Sequence, residues 1–185
     1  SKTLPPDICG VGDHTSKFAK ELVSRGHFVK IWTSCKKPAV LNSKINILNY
    51  SFTKKFEFFF KIQKELQDWN PDYLIIPYTP FFFSRKGGIG NFLLPLWILK
   101  FKQLVRCKII VYAHELHYPI EFSFAGIFRA IPQIINIWLL VFVCSRMCFS
   151  YEKAYRKILN WFPKKQTSLF WLPSGANITP VAMPL

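Results

Sequence analysis

Two hydrophobic rhythms alternate along this chain. In the first, apolar residues recur every three to four positions. From Thr15 to Arg25, Phe18, Ala19, Leu22 and Val23 fall on one side of a helix, with Lys17, Lys20, Glu21 and Arg25 on the other. Asp13 or Thr15 is the expected N-cap and Gly26 the expected stop. In the second rhythm, short runs of β-branched and aromatic residues predict strands over Phe28 to Thr33, Ile45 to Leu48, Tyr73 to Pro77, Lys108 to Tyr112, Cys148 to Ser150 and Ser168 to Leu172. Helical spacing fills the gaps over Phe56 to Trp69, about Asn91 to Val105, Gly126 to Met147 and Glu152 to Phe162. The runs over 73–77 and 109–112 are apolar throughout, as in parallel strands buried on both faces.

Strands alternating with helices predict an α/β fold built from βαβ units: a parallel sheet with helices on both faces. Residues 1–173 are expected to form one domain, with 174–185 a Pro-containing linker. No strand precedes the glycine-rich stretch Pro5 to Gly12, where a nucleotide-binding type of α/β fold has its first one. The most apolar stretch, Ile134 to Cys144, is about half the ~20 residues that a membrane span needs.

Charge sharpens the picture. The chain carries 25 Lys+Arg against 10 Asp+Glu, a formal +15. No acidic residue occurs between Tyr73 and His114, and Glu152 is the only one after Glu121. Such asymmetry implies an anionic partner. Half of the residues are hydrophobic and 19 are Phe, which excludes disorder. The 5 cysteines are scattered without a metal-ligand spacing, so reduced thiols in a cytosolic setting are expected. The opening residues lack the apolar segment of a secretory signal.

Two segments carry candidate chemistry. Gly10-Val11-Gly12-Asp13-His14 precedes a helix, whose N-terminus suits an anion or sugar hydroxyls. Thr15 stands where a dinucleotide fingerprint has its third glycine, and no acidic residue follows the next strand at the required distance, which argues against NAD. Tyr112-Ala113-His114-Glu115-Leu116-His117 follows a buried strand, at the end of the sheet where ligands bind in such folds. There His114 is suited to polarising a hydroxyl and Glu115 to accepting from one. The two histidines are one residue short of a helical metal-chelating pair. Tyr78, closing the preceding buried strand, is a further substrate-binding candidate. Phe81, Phe82, Phe83, Arg85 and Lys86, with Trp97, Lys100 and Lys102 on the next helix, combine aromatics and cations as a surface lying on anionic lipid does; ordinary core packing is the competing reading. No nucleic-acid-binding pattern is visible, so no nucleic-acid partner is expected.

Four segments in order, "LPPDICGVGDHTSKFAKELVSRGHFVKIWTS", "WNPDYLIIPYTPFFFSRKGGIGN", "KIIVYAHELHYP" and "LFWLPSGANITP", resemble family 4-like glycosyltransferases over nearly the whole chain. The resemblance implies the N-terminal, acceptor-side lobe of a GT-B fold, a Rossmann-like parallel sheet. It also implies retaining transfer from a nucleotide-sugar donor to a glycan or lipid-linked acceptor, in surface polysaccharide or glycolipid synthesis. No cofactor or metal is implied, the donor being bound mainly by a second lobe. Gly10, Val11 and Gly12 then approach donor phosphate or acceptor, with Asp13 and His14 beside them. His114 contacts the transferred sugar, with Glu115 next to it, and Ser174, Gly175 and Asn177 mark the interdomain crossing. The implied location is cytoplasmic, peripheral on the inner face of the cell membrane. Since the donor half lies outside the chain, the chain alone is expected to fold without catalysing transfer. Gly10–Gly12 and His114 are expected to share one crevice. The alternatives are another GT-B enzyme, such as a sugar-nucleotide epimerase, or a non-catalytic membrane-binding module.

Overall fold

The structure, a computed structural model, describes residues 4–35, 38, 43–50, 55–80, 92–116 and 124–174. Its elements run α1 (Gly10–Ser24), β1 (Val29–Thr33), β2 (Ile45–Asn49), α2 (Lys55–Trp69), β3 (Tyr73–Tyr78), α3 (Leu93–Leu104), β4 (Lys108–Ala113), α4 (Phe124–Val143), β5 (Arg146–Phe149), α5 (Glu152–Trp161) and β6 (Leu169–Trp171), with a 3-10 turn over Pro163–Ser168 before the last strand. The fold is α/β and Rossmann-like, its parallel sheets flanked by helices. Chain contacts divide it into two compact units, one of residues up to Asn49 together with those from Pro173 onward, the other Tyr50–Leu172.

In the first unit β1 and β2 pair in parallel, Ile31 opposite Ile47. Its core joins Leu4, Ala19, Val23, Ile31, Cys35 and Ile45. α1 stops as its sequence requires. Gly26 adopts φ 87°; its N–H donates to the Val23 carbonyl, and that of His27 to Leu22, the doubled closure favoured by a left-handed residue just past a helix. The start differs from expectation. Gly10 to Asp13 form the first turn of α1, with Cys9 as N-cap and no side-chain cap. Thr15 does not cap the helix; its hydroxyl donates back to the Val11 carbonyl at 2.7 Å. The glycines had signalled a loop because each weakens a helix by about 1 kcal/mol relative to Ala. The backbone of this turn is nevertheless helical.

The second unit holds a parallel sheet in the order β3-β4-β5-β6. The chain therefore steps to the neighbouring strand at every crossover. Among the described residues the strands pair as a set of two and a set of four. Fully buried Ile109, Met147 and Phe149 from the strands, Ile98 from α3, Leu140 from α4 and Ile158 from α5 anchor the core. α4 ends four residues before its predicted limit of Met147, and β5 begins at Arg146. The unbroken apolar run there conceals the change of period. The break falls at Cys144-Ser145, where Ser145 Oγ accepts from the Ile109 N–H at 3.1 Å and the Ser145 N–H donates to the Ile109 carbonyl. Among the described residues no helix is long and apolar enough to cross a membrane.

Candidate functional site

The C-terminal ends of β3, β4, β5 and β6 lie side by side, because the four strands are parallel and in register. His114 follows β4 directly. Its backbone N–H donates to the Tyr78 carbonyl at 3.0 Å, and its carbonyl accepts from Ser150 Oγ at 3.0 Å. Its ring meets that of Tyr112 edge-on, with centroids 4.8 Å apart. The Tyr112 hydroxyl reaches across to donate to the Leu172 carbonyl at 2.7 Å, tying the end of β4 to the end of β6. The half-buried His114 is thus fixed by backbone and ring, while Glu115 beside it is exposed.

Ser150 and Tyr151 arrive from the end of β5. Burial pushes the Tyr151 phenol upward; a backbone hydrogen bond from Leu116 opposes this and the nearby Glu115 carboxylate adds to it. The phenol therefore stays protonated and able to donate. The residues that follow β4 and β5 thus carry an imidazole whose Nε2 is buried, an exposed carboxylate, a hydroxyl bonded to the His114 carbonyl, and a phenol. Ser150 and Tyr151 escaped the sequence reading. Residues that follow the strands of one parallel sheet share its edge, but that these two stand beside His114 depends on β5 pairing with β4.

The other predicted residues stand on other elements. Gly10, Val11, Gly12, Asp13 and His14 occupy the first turns of α1, in the first unit. Gly12 is buried and Gly10 exposed. His14 stacks on Phe18 at 6.0 Å, and burial lowers its pKa. His114 belongs to the second unit, and each segment is positioned by its own unit. Tyr78, expected to face a ligand, is fully buried instead; its hydroxyl accepts from Asn136 Nδ2 of α4 at 2.9 Å. It shares the inward face of β3 with buried Leu74 and Ile76, so strand alternation assigns it to the core. On α3, Trp97 is half-buried against Phe101 and Phe59, and Lys100 lies over the Phe60 ring at 5.2 Å. Trp97 and Lys100 line an apolar groove of about 310 Å³ between α2 and α3, and Lys102 is exposed. Ser174 is exposed at the end of the described chain. Phe81, Phe82, Phe83, Arg85, Lys86, His117, Gly175 and Asn177 lie outside the described residues.

Among the described residues no group of three His, Cys, Asp or Glu could hold a metal ion. No disulfide joins the cysteines; Cys35, Cys107 and Cys144 are buried, Cys9 and Cys148 half-buried.

The fold is that of an α/β protein with Rossmann-like parallel sheets, and His114, Glu115, Ser150 and Tyr151 follow the carboxyl ends of β4 and β5 in the larger one. The sequence matches no protein-family model and no curated protein. Among solved structures, the chain is similar to the Bordetella bronchiseptica enzyme WbmG, crystallised in complex with NAD and UDP, at 10% identity and a TM-score of 0.46. That alignment covers 77% of this chain and 49% of WbmG, so the chain spans about half the length of its neighbour.

Proposed function

We propose that this chain is the acceptor-side lobe of a retaining glycosyltransferase that moves a sugar from a nucleotide-sugar donor to a glycan or lipid-linked acceptor. The observation that supports this reading is the position of His114: at the tip of a central parallel strand, immobilised by Tyr78, Tyr112 and Ser150, with Glu115 and Tyr151 close by. It falls on the histidine of the "KIIVYAHELHYP" segment that carries the family resemblance.

In this reading the acceptor hydroxyl attacks the anomeric carbon on the face that the nucleoside diphosphate leaves, and its proton passes to the departing phosphate oxygen. His114 orients the sugar ring, Glu115 accepts from a hydroxyl, and the protonated Tyr151 donates to an acceptor oxygen. Holding hydroxyls in fixed positions is where such a lobe contributes most, because pre-positioning lowers the entropic part of the barrier. The excess of Lys and Arg favours the approach of the diphosphate.

The test is an NMR titration of the isotope-labelled chain with nucleotide-sugars and with oligosaccharide acceptors. Acceptor should shift the signals of His114, Glu115, Ser150 and Tyr151, and His114→Ala should weaken binding about tenfold or more, the loss of a good polar contact to a bound ligand. Shifts confined to other surfaces would remove this site from the reading. Conversion of a nucleotide-sugar with no acceptor present would replace transfer by isomerisation.

A further inference from the structure

The helix α4 is polarised the wrong way for water. Its uncharged polar side chains Gln133 and Asn136 point inward and are fully buried. Its outward face carries Ile127, Ile131, Ile135, Trp138, Leu139 and Phe142, each between 40% and 56% exposed. Steps of three and four residues place these six on one stripe, about 22 Å long at 1.5 Å per residue. Scattered apolar surface residues are ordinary, but a continuous stripe of this length marks a surface that something apolar covers.

The rim of the stripe identifies the covering. At its C-terminal end Trp138 meets Trp161 and Phe162, and Phe142 meets Phe162 edge-on. Two lysines rest on this aromatic end: Lys157 Nζ lies 5.0 Å from the Trp161 centroid, and Lys165 Nζ lies 5.2 Å from that of Phe142. From Phe122 to the C-terminus there are seven basic residues (Arg129, Arg146, Lys153, Arg156, Lys157, Lys164 and Lys165) and one acid, Glu152. The acid already pairs with Arg156. A second copy of the chain would bring the same cations against these, and like charges repel across a shared interface. An anionic leaflet meets both requirements at once. Acyl chains accept the isoleucines, tryptophans sit at the headgroup level, and lysines reach lipid phosphate.

We propose that the outward face of α4 lies in the headgroup layer of an anionic membrane, parallel to its surface. This inference goes beyond the transferase reading and stands without it. It also uses a different helix from the one whose Trp97, Lys100 and Lys102 suggested a lipid surface in the sequence.

Flotation of the full chain with phosphatidylcholine vesicles, with and without phosphatidylglycerol, tests it. Wild-type protein should float with the anionic vesicles only, and added salt should weaken the binding. An Ile131→Ser/Ile135→Ser variant and a Lys157→Gln/Lys165→Gln variant should each bind at least about tenfold more weakly, losing apolar burial and lipid attraction respectively. All four positions lie at the surface, and circular dichroism confirms that the variants fold. Absence of flotation, or equal flotation of the serine variant, overturns the proposal. So does a dimer, seen by light scattering, that the serine variant dissolves while no vesicle binding occurs, since the stripe would then belong to a second copy.

Discussion

Tyr78 and Asn136 stand 58 residues apart in the chain, yet the amide of one donates to the phenol of the other in the core. Asn136 Oδ1 has no hydrogen-bond partner among the described residues. Removing either partner leaves the other's polar group buried without its bond. Tyr78→Phe and Asn136→Leu should each cost about 1–3 kcal/mol, while the double variant should cost clearly less than their sum. Urea unfolding of the four proteins measures the coupling. A second expectation concerns Cys144, whose thiol burial pushes up to about 12. A thiol with a raised pKa is neutral in the folded state at pH values where the unfolded chain ionises. Its contribution to stability is therefore complete below the ordinary value of 9.0 and is lost as pH rises from there towards 12. The difference in unfolding free energy between wild type and Cys144→Ala should shrink across that window, by on the order of 4 kcal/mol. At this scale the position of His114 was legible, because a residue directly after a buried strand stands at the sheet edge. Tyr78 was misjudged for an instructive reason: its partner Asn136 lies on a helix whose spacing is legible, but no local pattern says that this helix packs against Tyr78.

At the scale of elements, most of the secondary structure followed from periodicity. The ends of α2 and α5, and both ends of β1 and β2, fall within a residue or so of where apolar spacing predicts. Gly26 gives the clearest check. A Cβ there would touch nothing within 4 Å, so any penalty for a side chain comes from the backbone angle of 87° alone. Gly26→Ala should lower stability by about 1 kcal/mol, visible as a reduced melting temperature with an unchanged spectrum. Two boundaries misled for opposite reasons. Gly10 and Gly12 made the first turn of α1 resemble a loop, though packing held it helical. Around Cys144 a strand and a helix with similar residues abut, and composition carries no mark where one ends. The outward stripe of α4 was equally hidden, since a helix apolar on most sides does not announce which side the core takes.

For the molecule as a whole, alternation of strand and helix announced a parallel α/β fold. The grouping of the strands was not announced. Which strand pairs with which depends on long-range packing, and each run of five or six apolar residues offers the same edges to any neighbour. The carboxyl-edge cluster inherits this limit: Ser150 and Tyr151 become neighbours of His114 only once β5 is known to lie beside β4. Net charge, in contrast, was legible outright and speaks to partners rather than to topology.

The order β3-β4-β5-β6 has a consequence for how the chain is made. Each strand of the larger sheet docks on the one synthesised immediately before it, so the ribosome delivers every strand to a partner already waiting. Growth can proceed by accretion from one end, with short loop closures at each stage and no early strand held open for a late arrival. At the growing side the open edge always belongs to the newest strand, and up to β6 the next strand to emerge pairs with it.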